Sequence, residues 1–395
     1  MRTRARGREG ACLARKGDGG VLLLSVRRLA SLVAFSLQYE FEDVVAELTN
    51  ADRVDADGGE ALERSRRAYR LARLATGSRR LAKAVAPRPS KLGLERDYEL
   101  FFPVFNHAHE LFALALVPEW RRRCRLAACF VNELWADRLP GYLLELLAQF
   151  DHVFVGMRHA VDEVARALGR PCTYLPLAVD VLRFTPLPDP PLRTIDVCNI
   201  GRRSGVTHGA LLRLAEKRRL FYYYDTVAAS GTGRKQRTFE VEDGAEHRLL
   251  LAGLLQRSRY FIANRSRVNE PEVTAGRDEI SGRFYEGAAA GAVMLGEAPR
   301  TEEFARQFDW PDAVIRLPFD SPDVASVLAA LDRDPDRLAR VRDLAVRNAL
   351  LRHDWVYRLR RVFETLHLPP TAAMLAREER LQGLAAGEAR HANFR

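Results

Sequence analysis

Short apolar runs that alternate with stretches of helical spacing constrain the fold of this chain most. In the first half of the chain these runs occupy residues 21–26, 98–105, 125–131, 152–157 and 172–179. Between two of them, Leu143, Leu146, Leu147 and Phe150 recur at the spacing of one helical face. Strands that are separated by helices form a parallel sheet covered on both faces. The sequence therefore predicts an α/β fold.

A proline-rich stretch divides this pattern in two. Residues 184–191 read FTPLPDPP, and four prolines in eight residues can continue neither a helix nor a central strand. The alternation then restarts with apolar runs at residues 194–200, 220–226, 260–264 and 292–295. The predicted organisation is a basic flexible tail at 1–20, a doubly wound domain at 21–183, a linker at 184–191, a second doubly wound domain at 192–366 and a helix or tail at 367–395.

The composition narrows the class of protein. The 395 residues are 47% hydrophobic and 29% charged, which indicates globular domains with sizeable cores. The five cysteines are odd in number and lack zinc-binding spacing, so they predict no disulfide framework and favour the reducing cytoplasm. No apolar run approaches the ~18 residues of a membrane-spanning helix. Residues 25–37 superficially resemble a twin-arginine export signal but lack a small-residue cleavage site.

Positive charge is concentrated in two places. The formal net charge is +10, and residues 1–17 contribute six Lys or Arg against one Glu. A second basic run, residues 340–361, is predicted to be a solvated helix face, with peripheral contact to an anionic membrane as the alternative. Basic and aromatic residues do not interleave along the sequence, which argues against a nucleic-acid partner.

The stretch GRFYEGAAAGAVMLGE, residues 282–297, places Glu286 among four alanines and four glycines. Its pattern predicts a helix over residues 282–290 that the Ser281 hydroxyl caps and Gly291 closes, followed by a strand. The start of such a helix suits a phosphate, and a carboxylate in its second turn suits the paired hydroxyls of a ribose. The alternative is a solvated glutamate on a helix that packs closely against the sheet.

Three stretches carry a resemblance to a known family. They are YLPLAVDVLRFTP (residues 174–186), IDVCNIGRR (195–203) and DEISGRFYEGAAAGAVMLGE (278–297). Together they resemble the donor domain of GT-B glycosyltransferases. The most similar branch is group 1, which includes family 4 and the spore-maturation-type glycosyltransferase-like domain. The resemblance covers about residues 172–363, and the N-terminal half resembles the family only in architecture. It implies two Rossmann-like domains that face each other across a cleft and close about a hinge.

The resemblance also assigns expected roles to residues. It implies that Glu286 binds the ribose of a nucleotide-diphosphate sugar and that an earlier acid contacts the donor sugar. The usual spacing of this earlier acid falls on Asp278, while Glu279 lies one residue closer, so both remain candidates for the catalytic role. The resemblance also implies retention of the anomeric configuration, and it implies that neither a metal nor another cofactor is needed.

Arginines are the candidate partners of the donor diphosphate. Gly201 permits a tight turn after its strand, and the adjacent Arg202 can bind a diphosphate with its forked guanidinium. Family members carry a lysine a few residues later, but the next lysine here is Lys217, well along the following helix. The candidate substitutes for that lysine are Arg203, Arg265 and Arg283.

Candidate acceptor-side residues follow two strands of the first domain. His107 and His109 follow the run at 98–105, and alternate spacing in an extended segment would put both imidazoles on one side. His107 is the candidate base, and His109 and Glu133 are candidates for binding the acceptor. The alternatives are structural roles, or half of a metal site that Glu110 would extend. The acids of YEFED, residues 39–43, are expected only to complement a helix dipole.

The predicted activity is transfer of a sugar from a nucleotide-diphosphate sugar to a glycan, lipid-linked or small-molecule acceptor. A nucleotide-sugar epimerase is one alternative, and a non-catalytic ligand-binding or scaffolding module with the GT-B fold is another. The missing lysine and the unsettled choice between Asp278 and Glu279 are the observations that support the module, while the other site residues favour the enzyme. The loop at 227–244, with Arg234, Lys235 and Arg237, is expected to shape the donor or acceptor pocket.

Overall fold

The chain forms two compact units, each built on its own sheet, in a computed structural model. The structure describes residues 11–29, 32–56, 59–78, 81, 92–135, 139–225, 228–230, 235–237 and 239–392. The first unit consists of residues up to Ser31 and Glu42–Leu175, and the second of Leu32–Phe41 and Pro176–Arg395. This arrangement confirms the predicted α/β class with two doubly wound units.

Among the described residues of the first unit, eight strands form a sheet in the order β1-β3-β2-β4-β6-β7-β8, with β5 also paired to β6. The strands are β1 Ala11–Arg15, β2 Val21–Ser25, β3 Asp52–Ala56, β4 Tyr98–Phe101, β5 Val104–His107, β6 Cys124–Glu133, β7 His152–Val155 and β8 Thr173–Tyr174. All pairs are parallel except that of the edge strand β1 with β3. The predicted flexible tail at 1–20 therefore contains a paired strand, because β3 offers β1 an open edge.

Helices connect these strands as the apolar spacing predicts. They are α1 Ser36–Thr49, α2 Gly59–Thr76, α3 Trp120–Arg123, α4 Gly141–Leu147 and α5 Val161–Leu168, with 3-10 segments at Val33–Phe35, Ala108–Leu116 and Arg158–Ala160. Gly169 ends α5 in the left-handed conformation, with φ of 67°.

In the described part of the second unit, five parallel strands form a sheet in the order β10-β9-β13-β14-β15. They are β9 Ile195–Asn199, β10 Tyr222–Tyr224, β13 Ser258–Ile262, β14 Val293–Gly296 and β15 Ile315–Arg316. Separately, β11 Ala228–Ser230 pairs antiparallel with β12 Lys235–Arg237, within the predicted loop at 227–244. Apolar side chains of β9, β13 and β14 form a core with those of the covering helices.

The helices of the second unit include the predicted small-residue helix. They are α6 Val181–Phe184, α7 Gly205–Glu216, α8 Gly244–Gln256, α9 Pro271–Thr274, α10 Gly282–Ala289, α11 Glu302–Gln307, α12 Val324–Leu331, α13 Pro335–Arg352, α14 Trp355–Thr365 and α15 Ala372–Ala392. Gly291 closes α10 in the left-handed conformation, with φ of 62°. Gly287 lets α10 approach the sheet, because a Cβ there would lie 2.7 Å from the Met294 sulfur and 3.0 Å from the Phe261 ring.

The division between the units falls between Leu175 and Pro176, before the predicted linker at 184–191. That proline-rich stretch lies inside the second unit. The side-chain amide of Gln256 on α8 lies 3.0–3.2 Å from three successive carbonyl oxygens, those of Arg183, Phe184 and Thr185. The start of the stretch is therefore bound to a helix of its own unit.

The basic run at 340–361 is not the single solvated helix face that was predicted. The run forms two separate helices, α13 and α14. The Asp354 carboxylate caps the start of α14. Arg358 is buried and donates to three carbonyl oxygens, those of Pro176, Leu177 and Arg352. Backbone carbonyls thus hold one cation of the run inside the protein. Among the described helices, none is both long and apolar enough to cross a membrane.

Candidate functional site

One edge of the second sheet collects the predicted donor-binding residues. Because the five strands are parallel, their carboxyl ends share an edge. The chain places β10 on one side of β9 and β13 on the other, and ligands of doubly wound sheets bind at such a switch point. Gly201, Arg202 and Arg203 directly follow β9 at this edge, and Arg265 follows β13.

Gly201 and Arg283 lie against each other at this edge. Gly201 is left-handed, with φ of 73°, and its N–H donates to Asp225 Oδ1 at 2.8 Å. A Cβ on residue 201 would overlap the guanidinium of Arg283, the second residue of α10. Within the described part of the chain, the half-buried Arg283 side chain has no ion-pair or hydrogen-bond partner. Its positive charge is therefore not neutralised by a described carboxylate.

The start of α10 is not capped as the sequence predicted. Ser281 occupies the N-cap position but makes no side-chain cap. Its hydroxyl instead donates to the carbonyl oxygen of Asn264 at 2.7 Å, which ties the helix start to the end of β13. The Ser281 hydroxyl thus leaves the first-turn N–H groups of α10 to other acceptors.

Arg203 is engaged within the protein. Its guanidinium is buried and lies 2.7 Å from Asp225 Oδ1, and it also donates to the carbonyl oxygens of Asp225 and Asn199. The ring of Tyr224 lies 5.4 Å from its Cζ. These contacts join the carboxyl ends of β9 and β10, so a structural function accounts for this arginine.

Two further candidate arginines are paired with acids of the segment between β13 and α10. Arg202 Nε lies 3.0 Å from Glu270 Oε1, and Arg265 Nε lies 3.3 Å from Asp278 Oδ1. Their charges are therefore largely balanced inside the unit. Of the arginines that the sequence nominated for the diphosphate, Arg283 is the one whose charge no described acid balances.

Asp278 and Glu279, the two candidates for contacting the sugar, differ in surroundings. Besides its pair with Arg265, Asp278 accepts the Arg300 backbone N–H at 3.0 Å through Oδ2, so both carboxylate oxygens are engaged. Glu279 is buried, and its backbone carbonyl accepts the N–H of Ser266 at 2.9 Å. These contacts indicate that Asp278 stabilises the segment between α9 and α10.

Glu286 lies in the second turn of α10, as predicted, but it is buried rather than solvated. Arg248 on α8 donates to its Oε1. The same guanidinium binds Glu40, with Nε 2.8 Å from Oε2 and Nη2 3.2 Å from Oε1. Burial acts to lower the pKa of Arg248, but the two carboxylates outweigh it and the pKa is raised.

The acids of residues 39–43 do more than complement a helix dipole. Glu40 is buried in the second unit against Arg248, and Glu42 is buried in the first unit against Arg27 and Ser25. The sequence contained a signal for Glu40, since it shares the apolar face of α1 with residues 37, 41, 44 and 48. A charged residue on such a face needs a buried partner.

The acceptor-side candidates lie at the carboxyl end of the first sheet. His107 and Glu133 are register partners on β5 and β6, with 4.0 Å between Nδ1 and Oε2. The Trp135 indole donates to Glu133 Oε2 at 3.0 Å. The predicted common side of His107 and His109 does not hold, because the extended segment ends at His107 and a 3-10 helix begins at Ala108. His109 is exposed within that helix.

Glu110 was considered only as a metal ligand, and the structure places it in a hydrogen-bonded site. Its carboxylate accepts the Asn106 backbone N–H at 2.6 Å. Burial raises the pKa of Glu110 to about 7, against the opposing effect of these hydrogen bonds. Among the described residues, no group of three or more His, Cys, Asp or Glu is placed to hold a metal ion. Arg234 of the predicted pocket loop lies outside the described residues.

Comparison with protein families identifies the C-terminal part of the chain. Residues 211–364, all within the second unit, match the family model described as glycosyl transferase-like. This region is a glycosyltransferase domain. The match confirms the predicted enzyme class and includes both Glu286 and Arg248. No curated protein sequence matches the chain.

Solved glycosyltransferase structures are similar to the chain at low identity. HepE from Anabaena, solved with UDP-glucose, is 10% identical with a TM-score of 0.49, and the match covers 88% of this chain and 99% of HepE. A mutant of S. aureus TarM, solved with fondaparinux, α-GlcNAc-glycerol and UDP, is 9% identical with a TM-score of 0.41. That match covers 67% of this chain and 55% of TarM, so the chain spans about half of TarM.

Proposed function

We propose that this protein transfers a sugar from a nucleotide-diphosphate sugar to a glycan, lipid-linked or small-molecule acceptor, and that the second unit binds the donor. The observation that carries the proposal is the position of Arg283. Its guanidinium lies against Gly201 at the start of α10 without a described acid to balance it. A half-buried, unbalanced cation at a switch point suits a diphosphate.

The surrounding groups support a diphosphate at Arg283. A helix start carries partial positive charge and N–H groups, which add to the charge of the arginine. Arg203 forms an ion pair with Asp225, and Arg202 forms one with Glu270, so neither offers an unbalanced charge. In this proposal Arg283 takes the place of the lysine that the family carries, and Gly201 provides the room for it.

Glu286 fits the ribose in the same arrangement. It lies three residues after Arg283 on α10, and residues at this spacing are neighbours on a helix surface. A diphosphate at Arg283 would therefore place the next part of a nucleotide, its ribose, near this carboxylate. We propose that Glu286 accepts hydrogen bonds from the ribose hydroxyls and takes no part in the chemical step.

The proposed reaction retains the anomeric configuration and needs no metal ion. The leaving diphosphate gains negative charge as the glycosidic bond breaks, and Arg283 with the helix start would stabilise it. Positive charge develops on the sugar ring, where Asp278 or Glu279 would face it. His107, His109 and Glu133 are the proposed acceptor-side groups, and His107 is the proposed base. Nuclear magnetic resonance of the product anomer, with and without EDTA, tests both features.

We also propose peripheral membrane contact through the basic tail and the exposed cations of the C-terminal basic run at 340–361. It would bring the enzyme to a lipid-linked acceptor. Sedimentation of the full chain with vesicles of anionic and neutral lipid tests it, and equal binding to both would reject an electrostatic contact.

Titration calorimetry with UDP, GDP and ADP tests the donor site directly. The wild-type chain should bind at least one of them, and Arg283→Gln should weaken that binding about tenfold or more, because a charged hydrogen-bond partner is lost. Arg259→Gln is the matched control, since Arg259 pairs with Asp196 and Asp332 at the amino edge of the same sheet. Equal affinities of the Arg283→Gln and wild-type proteins would reject the diphosphate site.

A further inference from the structure

Arg248 holds Glu286 and Glu40 together through one guanidinium. Nε and Nη2 bind the two oxygens of Glu40, and Nη1 binds Glu286 Oε1. The three residues come from α8, α1 and α10, and all belong to the second unit. One arginine can bind two carboxylates in this way because its donors form a planar fork, whereas the single ammonium of a lysine cannot.

Neighbouring groups fix this guanidinium and its Glu40 partner. The Phe184 ring lies 4.6 Å from Arg248 Cζ. Glu40 Oε1 also accepts the Asp180 backbone N–H at 2.8 Å and the Trp355 indole N–H at 3.1 Å. With its oxygens bound from three directions, Glu40 is a rigid anchor for Arg248.

The exposure of the three side chains increases toward Glu286. The exposed fraction is 0% for Glu40, 2% for Arg248 and 7% for Glu286. Glu286 is therefore the least buried member of the network, although all three side chains are buried. A ligand that binds the network would meet the Glu286 carboxylate, one oxygen of which is already held by Arg248.

Stability alone does not explain such a network. Buried ion pairs lose in desolvation much of what they gain in attraction, and apolar side chains of similar volume often stabilise a protein equally well. A network that ends at its least buried carboxylate does, however, hold that carboxylate in one orientation. A carboxylate fixed in advance binds a ligand without the cost of ordering its own side chain.

We propose that Arg248 is a positioning residue for the donor, which holds the Glu286 carboxylate toward the paired hydroxyls of the ribose. This inference rests on the proposed function of the donor site. Arg248 acts through Glu286 and does not itself touch the donor. Glu40 anchors Arg248, so a segment from the N-terminal part of the chain contributes to donor recognition. A fragment that begins at Pro176 would lack this anchor.

The test compares UDP, GDP and ADP with their 2′,3′-dideoxy counterparts by titration calorimetry on the full chain. The ratio of the two dissociation constants measures recognition of the ribose hydroxyls. In the wild-type protein this ratio should be about tenfold or more, and Glu286→Ala should bring it close to one. Arg248→Lys should lower the ratio about three- to tenfold, and Glu40→Gln should lower it in the same direction.

The dideoxy nucleotide provides the internal control. A variant that positions Glu286 poorly keeps its affinity for the dideoxy nucleotide, whereas a misfolded variant loses affinity for both nucleotides. Glu40→Gln retains the side-chain shape if Arg248→Lys does not fold. The role of Arg248 would be overturned by the following outcome. The ratio falls close to one in Glu286→Ala but is unchanged in a folded Arg248→Lys or Glu40→Gln protein. If no nucleoside diphosphate binds the wild-type chain, the proposed function fails as well.

Discussion

The guanidinium of Arg283 occupies the space that a side chain on residue 201 would need. This relationship joins the end of β9 to the first turn of α10, two segments far apart in the sequence. Because Gly201 is also left-handed, with φ of 73°, two independent physical reasons favour glycine at this position. The proposed diphosphate site depends on this close approach.

Replacing Gly201 by alanine should damage both the backbone and the site. The left-handed conformation would lower the free energy of unfolding by about 1–3 kcal/mol. Displacement of Arg283 should weaken nucleoside diphosphate binding about tenfold. Gly209→Ala on α7 is the control, because its Cβ would meet Arg213 at an ordinary distance of 3.5 Å and helix propensity would rise. If Gly201→Ala bound nucleotide with unchanged affinity, the diphosphate would not bind at Arg283 beside residue 201.

Arg203→Gln should lower stability more than donor affinity. It would leave the Asp225 carboxylate, whose side chain is 16% exposed, without its cationic partner. We expect a loss of about 2–4 kcal/mol in the free energy of unfolding, measured by chemical denaturation. The half-exposed pairs of Arg259 give the comparison, and Arg259→Gln should cost below about 1 kcal/mol. A fully stable Arg203→Gln protein that no longer binds nucleotide would show instead that Arg203 contacts the donor.

Glu279→Gln and Asp278→Asn separate the two candidates for contacting the sugar. Because both oxygens of Asp278 are bound by Arg265 and the Arg300 backbone, we expect Glu279 to face the sugar ring. Glu279→Gln should then reduce kcat about 100-fold with an unchanged dissociation constant for the nucleoside diphosphate. Asp278→Asn should lower the melting temperature and retain most of kcat. The reverse pattern would assign the role to Asp278.

The stability of the first unit should depend on pH through Glu42. This carboxyl is buried, and the Ser25 hydroxyl lies 2.5 Å from its Oε2. Burial raises the pKa of Glu42 from 4.5 to about 7, against the opposing effect of Arg27. The folded state therefore holds the proton more tightly, so the stability it contributes is complete below pH 4.5 and is lost as the pH rises through 7.

Thermal denaturation of wild type and Glu42→Gln between pH 4.5 and 8 measures this effect. The wild-type protein should lose about 3 kcal/mol of stability from this group across the range. Glu42→Gln keeps an oxygen for Ser25 and removes the titration, so its dependence on pH should be smaller. Identical slopes for the two proteins would show that Glu42 does not titrate in this range.

The local parts of the fold were predictable from neighbouring residues. The small-residue helix α10, its closure at Gly291 and the strands on both sides follow from spacing and glycine content. The prediction was wrong for Ser281 and for the common side of His107 and His109. Both errors assumed a regular local geometry, which a bond to Asn264 and a 3-10 turn replace.

The candidate site was predictable only as a set of residue types at one sheet edge. The sequence nominated several arginines for the diphosphate but could not rank them, because their partners Asp225, Glu270 and Asp278 come from other segments. It also missed Arg248, although Arg248 shares the apolar face of α8 with residues 251, 252 and 255.

The sequence by itself determined the alternating strands and helices, the two sheets and the helix that carries Glu286. Periodicity and glycine placement act within a few residues, so these features are local. Only the tertiary structure decided which charges are balanced and which face solvent. Residues 40, 248 and 286 form one network because folding brings three separate helices together. The charge of Arg283 is unbalanced because none of the described acids pairs with it.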